Sequence, residues 1–267
     1  MNESSRIIEA AQRAGRGFVA TIVRTEGSTY RRAGARCVIA ENGEVTGTIS
    51  GGCLERDLAL RSAEWLGDMK SRVVTYDSSR DDDIVFGLGL GCRGVIEILV
   101  EPFDAEHPPH IEQALQRRIA IYGGGPDVEP LAKLADLIGW NVDVVRPRDT
   151  HPEQVTAPEA DAVVIMTHNY LYDLALLRTM LKSNIAYIGL LGPKTRGDEL
   201  IEQIDGASRE RIHNPIGLDL GGDTPEEIAL SIVSEVQAVL NERDAQPLRN
   251  VEGPLHARDH RSSCRRV

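Results

Sequence analysis

Apolar residues recur along the 267-residue chain in two different ways. In the first half, Ser5 to Ala14 carries them at helical spacing and stops at Gly15, as an amphipathic helix does. Phe18 to Arg24 is rich in β-branched residues and reads as a strand. Ala35 to Ala40 and Val45 to Ile49 flank Asn42-Gly43, a pair that tolerates the positive φ a tight hairpin turn requires. Leu54 to Leu66 is helical in pattern, and Arg72 to Tyr76 and Val95 to Val100 read as further strands.

The second half alternates regularly between the two periods. Arg118 to Tyr122 is a strand, Asp127 to Ile138 a helix closed by Gly139, and Val142 to Val145 a strand. Ala162 to Thr167, Tyr172 to Leu181 and Ala186 to Leu190 repeat strand, helix, strand. Thr224-Pro225-Glu226-Glu227 opens a last helix to about Leu240, with Thr224 as cap, Pro225 in the first turn and Glu227 closing a capping box. Such alternation predicts a parallel sheet with helices on both faces. The expected architecture is α/β: a small N-terminal α/β domain over residues 1–105, then a Rossmann-like parallel-sheet domain over 117–243. Pro108-Pro109 lies in the linker between them.

Charge and composition narrow the partners. With a net charge of -11, the body of the protein is a poor match for nucleic acid or an anionic membrane. Residues 244–267 run against this trend, with Arg249, Arg258, Arg261, Arg265 and Arg266, and read as a flexible basic tail. No run approaches the ~18 apolar residues of a membrane span, and the polar N-terminus does not read as a signal peptide. Cys37, Cys53, Cys92 and Cys264 show no zinc-finger spacing and no small-scaffold framework, so free thiols in the reducing cytoplasm are expected.

Two glycine-rich segments of the first half carry cysteines. In Ser50-Gly51-Gly52-Cys53-Leu54-Glu55, Gly51 and Gly52 allow a sharp turn and close approach of a ligand. Cys53 then begins a helix, where the dipole favours a thiolate; a buried cysteine beside a tight turn has the same pattern. In Gly87-Leu88-Gly89-Leu90-Gly91-Cys92-Arg93-Gly94, glycines too dense for helix or strand form a loop of exposed N–H groups, which together with Arg93 suits an anion. The same composition suits a plain entry to the next strand. A third segment, Thr25 to Arg36, gathers Arg31, Arg32 and Arg36 near one turn, either as phosphate donors or as a solvated basic surface.

In the second half, Gly123-Gly124-Gly125-Pro126-Asp127-Val128 follows a strand and opens a helix, the context of a dinucleotide fingerprint. Val128 stands where that fingerprint has a third small residue, and Arg146 ends the strand where NAD sites hold an acid. NADP or another phosphate-bearing ligand therefore suits this turn better than NAD. Met166-Thr167-His168-Asn169-Tyr170 and Gly192-Pro193-Lys194-Thr195-Arg196 follow other strands, at the sheet edge where open α/β folds place ligands. His168 and His213 could transfer protons, although loop histidines more often only pack and hydrogen-bond.

Taken in order, these segments resemble the XdhC/CoxI family, the maturation factors of xanthine and carbon monoxide dehydrogenases. Arg24 to Ser28, Ser50 to Glu55, Gly87 to Gly94, Tyr122 to Pro126, Met166 to Tyr170, Tyr187 to Lys194 and Pro215 to Asp219 carry the likeness, from about Phe18 to Leu240. The resemblance implies an accessory protein more than a turnover enzyme. It would bind molybdenum cofactor as cargo, assist its sulfuration by a cysteine desulfurase and deliver it to a molybdenum hydroxylase. By match to the motifs, Cys53 and Cys92 are the candidate thiols. Gly51, Gly52, Gly89, Gly91, Arg93, Gly123, Gly125, His168, Asn169 and Lys194 are the candidate cofactor-binding residues, with no metal of the protein's own. A homodimer is left open. The rival reading is an NAD(P)-dependent oxidoreductase, which uses the Rossmann-like half and leaves both cysteine segments without a role.

Overall fold

The computed structural model describes residues 3–27, 29–77, 94–109, 111, 116–147, 151, 154–204, 206 and 208–251. Among these, Glu3–Gln113 and Ala114–Gln246 bound two compact units, and the residues from Pro247 group with the first. The candidates Gly89, Gly91, Cys92 and Arg93, together with most of the basic tail, lie outside the described residues; Leu248–Asn250 of that tail forms one 3-10 turn.

The N-terminal unit is an antiparallel sheet with a helix on each face. Its elements are α1 (Glu3–Ala14), β1 (Gly17–Gly27), β2 (Arg36–Ala40), β3 (Val45–Gly47), α2 (Cys53–Trp65), β4 (Arg72–Asp77) and β5 (Gly94–Phe103), with strand order β3-β2-β1-β5-β4. Alternation along the strands sorts the core. Phe18, Ala20 and Ile22 of β1 face one side with Leu54 and Leu58 of α2, while Val19 and Val38 face the other with Ile7 and Ala11 of α1. Gly43 takes the positive φ of 83° that the Asn42-Gly43 hairpin requires. β3 runs in the same direction as β1 and leaves the sheet toward the end where Gly27 pairs with Gly94.

The C-terminal unit contains β6 (Arg118–Gly123), α3 (Val128–Leu137), β7 (Asn141–Val145), β8 (Ala162–Met166), α4 (Tyr170–Leu181), β9 (Tyr187–Leu190), α5 (Lys194–Glu202), β10 (Ile212–His213) and α6 (Pro225–Leu240). All its strand pairs are parallel, in the order β10-β9-β8-β6-β7. The order reverses between β6 and β8, which makes the carboxyl ends of these two strands the ligand-binding edge expected of the fold. Ile119 and Ile121 face α3 and α6, whereas Ala120 and Tyr122 face α4 and α5, so helices cover both faces. Thr224 and Glu227 form the capping box of α6.

α5 and β10 do not stand out in the hydrophobic pattern. The sequence of α5 is largely polar and holds Gly197, a poor helix residue. That glycine is there for packing: a Cβ on it would lie 1.9 Å from the Asn214 side chain. β10 has only two residues, too few to show a period.

Candidate functional site

The Ser50–Glu55 turn is tied together from within. Glu55 is 8 % exposed. One of its oxygens accepts from the backbone N–H groups of Ile49 at 2.8 Å and Ser50 at 2.7 Å. The other accepts from the Gly52 N–H at 3.1 Å and from the Ser50 hydroxyl. Ser50 Oγ in turn accepts from the N–H groups of Gly52 and Leu54, each at 3.1 Å. Gly52 occupies the cap position of α2 with φ 111° and has no side chain to cap with, so Ser50 supplies the hydroxyl that a serine at the cap itself would provide. Burial pushes the Glu55 carboxyl up, but hydrogen bonds from the Ser50 hydroxyl and from the N–H groups of Ser50, Glu55 and Ile49 bring it below the usual glutamate range.

This arrangement points Cys53 outward. Cys53 is exposed at the first position of α2, and it and Cys37 are free thiols. A Cβ on Gly51 or Gly52 would meet nothing within 4 Å. With Glu55 and Ser50 holding the N–H groups of Ile49, Ser50, Gly52 and Leu54, those of Gly51 and Cys53 remain without an acceptor among the described residues. The turn thus offers a thiol, two N–H donors at a helix start and open space. Cys37 is the opposite case. It is fully buried in β2, and burial, helped by the charges of Glu55 and Glu3, pushes its thiol up to about 12.

In the arginine-rich segment Arg31 is paired with a distant acid, and so is Arg24 just before it. Arg31 grips Glu3 of α1 with both terminal nitrogens, at 3.1 and 2.6 Å, and Arg24 bonds Glu97 at 3.1 Å and also Glu26. Neither guanidinium is a ready phosphate donor. Segment 78–93, with Cys92, is bounded by Asp77 and Gly94. These lie at the sheet end toward which β3 delivers the Cys53 turn, since Asp77 pairs beside Val95 and Gly94 opposite Gly27.

At the switch point of the C-terminal unit, the glycines have separate tasks. A Cβ on Gly123 would lie 2.8 Å from Val128 Cγ2 and 2.7 Å from Met166 Cγ. The close helix–strand contact is therefore made at Gly123, and Val128 fits against it. His168 lies in the left-handed region at φ 57° and places Nε2 3.1 Å from an Asp127 oxygen. Asn169 caps α4, its side-chain oxygen accepting from the Tyr172 N–H at 3.1 Å. Lys194 is exposed and pairs with Asp198 at 3.0 Å. Sequence reasoning assigns no role to Asp173, which is 1 % exposed and bonded by Arg196 at 2.5 Å and by the Thr167 hydroxyl. Its only sequence signal is an acid one turn into a helix, shortly after a strand that ends in Met166-Thr167-His168.

Farther along, Glu235 of α6 binds three neighbours: the Tyr187 hydroxyl, the Gly217 N–H at 2.8 Å and His213 Nδ1 at 3.3 Å. The His213 ring stacks on Tyr187 with centroids 4.1 Å apart. This cluster ties the loop after β10 to α6, a packing role for His213.

Known proteins share this two-unit architecture. The profile described as the XdhC and CoxI family matches residues 10–77, and the one described as the XdhC Rossmann domain matches residues 119–236. A probable xanthine dehydrogenase subunit of Bacillus subtilis strain 168 is 28 % identical over 82 % of this chain and 91 % of its own length. The molybdenum cofactor insertion chaperone PaoD of Escherichia coli K12 is 25 % identical over 88 % of this chain and 87 % of its own. A crystal structure described as a xanthine dehydrogenase from Bacillus halodurans superposes with a TM-score of 0.74 at 26 % identity, covering 93 % of this chain and 98 % of that one. With one profile on each unit and relatives matched across both, the chain belongs to the XdhC and CoxI family.

Proposed function

We propose that this chain is a cytoplasmic maturation factor that binds molybdenum cofactor and delivers it to a hydroxylase of the xanthine or carbon monoxide dehydrogenase type, assisting its sulfuration with a cysteine desulfurase on the way. The observation that carries the reading is the exposed Cys53 at the start of α2, on a turn braced by Glu55 and Ser50. A thiolate suits a soft metal or a persulfide sulfur, and the two N–H donors beside it suit an oxyanion. The likeness to PaoD, a molybdenum cofactor insertion chaperone, points the same way. Cys92 belongs to this proposal as the second thiol by its match to the family motif, and it lies outside the described residues.

The test is purification of the full chain from cells that make the cofactor. Bound pterin is released by oxidation and read by fluorescence, and activation of an apo-hydroxylase is measured alongside. Cys53→Ala should lose at least tenfold in bound pterin or in activation while its unfolding curve stays unchanged. Full pterin loading and full activation with both Cys53 and Cys92 replaced would refute the proposal.

A further inference from the structure

In a dinucleotide-binding unit, the second glycine of the turn lacks a side chain so that a pyrophosphate can approach its backbone at the helix start. Gly125 holds that place here, but the space it leaves is taken. A Cβ on Gly125 would lie 2.5 Å from Asp127 Oδ1 and 3.6 Å from His168 Nε2. Asp127 precedes α3, makes no side-chain cap bond and is held instead by His168 at 3.1 Å. Its side chain is 16 % exposed, beneath a histidine that is 60 % exposed. A carboxylate thus already sits where the helix start would attract an anion, and an incoming phosphate would meet like charge at contact distance.

We infer that Asp127 shuts the glycine turn of the C-terminal unit to phosphate, and is the residue that separates this unit from dinucleotide-binding ones. The obstacle is not Val128, which packs against Gly123. The inference does not depend on the cofactor reading of Cys53, and either can fail alone. Removing the carboxylate should leave the fold intact, because Asp127 Oδ1 is buried with no hydrogen-bond partner and Oδ2 bonds only the exposed His168.

The experiment uses the full chain and the fluorescence of NADPH and NADH. The wild type should show no saturable binding below about 1 mM. Asp127→Gly should bind NADPH at least tenfold tighter, roughly 1.4 kcal/mol, with Asp127→Asn between them, since amide removes the charge and keeps the bulk. Should Asp127→Gly fail to fold, Asp127→Ser carries the same expectation. His168→Ala removes the cover but not the charge and should gain nothing. Wild-type binding at 10 μM or below would overturn the inference. So would no gain in any folded Asp127 variant up to 1 mM, or a gain in His168→Ala equal to that of Asp127→Gly.

Discussion

Replacing Glu55 by alanine should destabilise the N-terminal unit and leave the C-terminal unit unchanged. The carboxylate accepts from four donors. Two of these, the N–H groups of Ile49 and Ser50, belong to residues 0 % and 4 % exposed, so water does not replace the lost acceptor. Leaving a buried donor unpaired costs about 1–3 kcal/mol each, and losing the reach-back contact to the Gly52 N–H adds up to about 1 kcal/mol. The sum is about 2–7 kcal/mol, a large fraction of a small unit's stability. Glu55→Gln keeps one oxygen for Ile49 and Ser50 but turns an N–H₂ toward the Gly52 N–H, so about half that loss is expected. Ser50→Ala leaves Glu55 in place and gives up the Leu54 cap, about 1 kcal/mol. Urea unfolding in a Trp140→Phe background isolates the signal of Trp65, which packs edge-on against Phe18 with centroids 6.2 Å apart. An unfolding free energy for Glu55→Ala within about 1 kcal/mol of the parent's, or a Glu55→Gln loss as large as that of alanine, would refute the reasoning.

Two further outcomes follow from the buried groups. Iodoacetamide at pH 8, with the modified peptides mapped by mass, should label Cys53 in the native protein. Cys37, at about 12, holds on the order of one part in ten thousand thiolate at that pH and should label only as fast as the unit opens. Glu235 is the half-buried pH-linked acid of the second unit's Tyr187–His213 cluster. Burial pushes it up, but hydrogen bonds from His213, Tyr187 and the Gly217 N–H bring it below the ordinary value of 4.5. Its contribution is therefore present above the unfolded value and lost as pH falls through the lower folded one. Glu235→Gln should be less stable than wild type at pH 7, with the gap shrinking below pH 4.5; a constant gap would show that the charge is not involved.

The elements are legible in the sequence where two signals coincide, and what depends on a distant partner is not. Asn42-Gly43 marks the hairpin, and Thr224-Pro225-Glu226-Glu227 marks the start of α6, because each carries its own geometry. The alternation of the second half announces the parallel sheet. In contrast, Gly197 looks like a helix breaker until Asn214 is seen against it, and α5 stays hidden for that reason. Arg31 looks like a phosphate donor until Glu3 of α1 is found holding it. Gly123-Gly124-Gly125 announces a turn, but the division of labour among its glycines is set by Met166 and His168, some forty residues away.

The same solution appears at the glycine turn of each unit. In both, a flexible turn leads into a helix start, and in both a carboxylate of the protein's own lies at the turn: Glu55 bonds the backbone at α2 and leaves the N–H groups of Gly51 and Cys53 open, whereas Asp127 fills the space beside Gly125 at α3. The turns differ in what is left outside. At α3 the exposed group is His168, which bonds the carboxylate beneath it. At α2 the carboxylate is saturated by its four donors, and the exposed group is the thiol of Cys53, which shares no hydrogen bond with it. Glu55 is thus a brace and not a base: its lone pairs are spent on the backbone and the Ser50 hydroxyl, so it cannot take the thiol proton without breaking the turn. A protein that captures and releases a sulfur- or metal-bearing cargo needs such a thiol held in place more than it needs a full catalytic constellation around it.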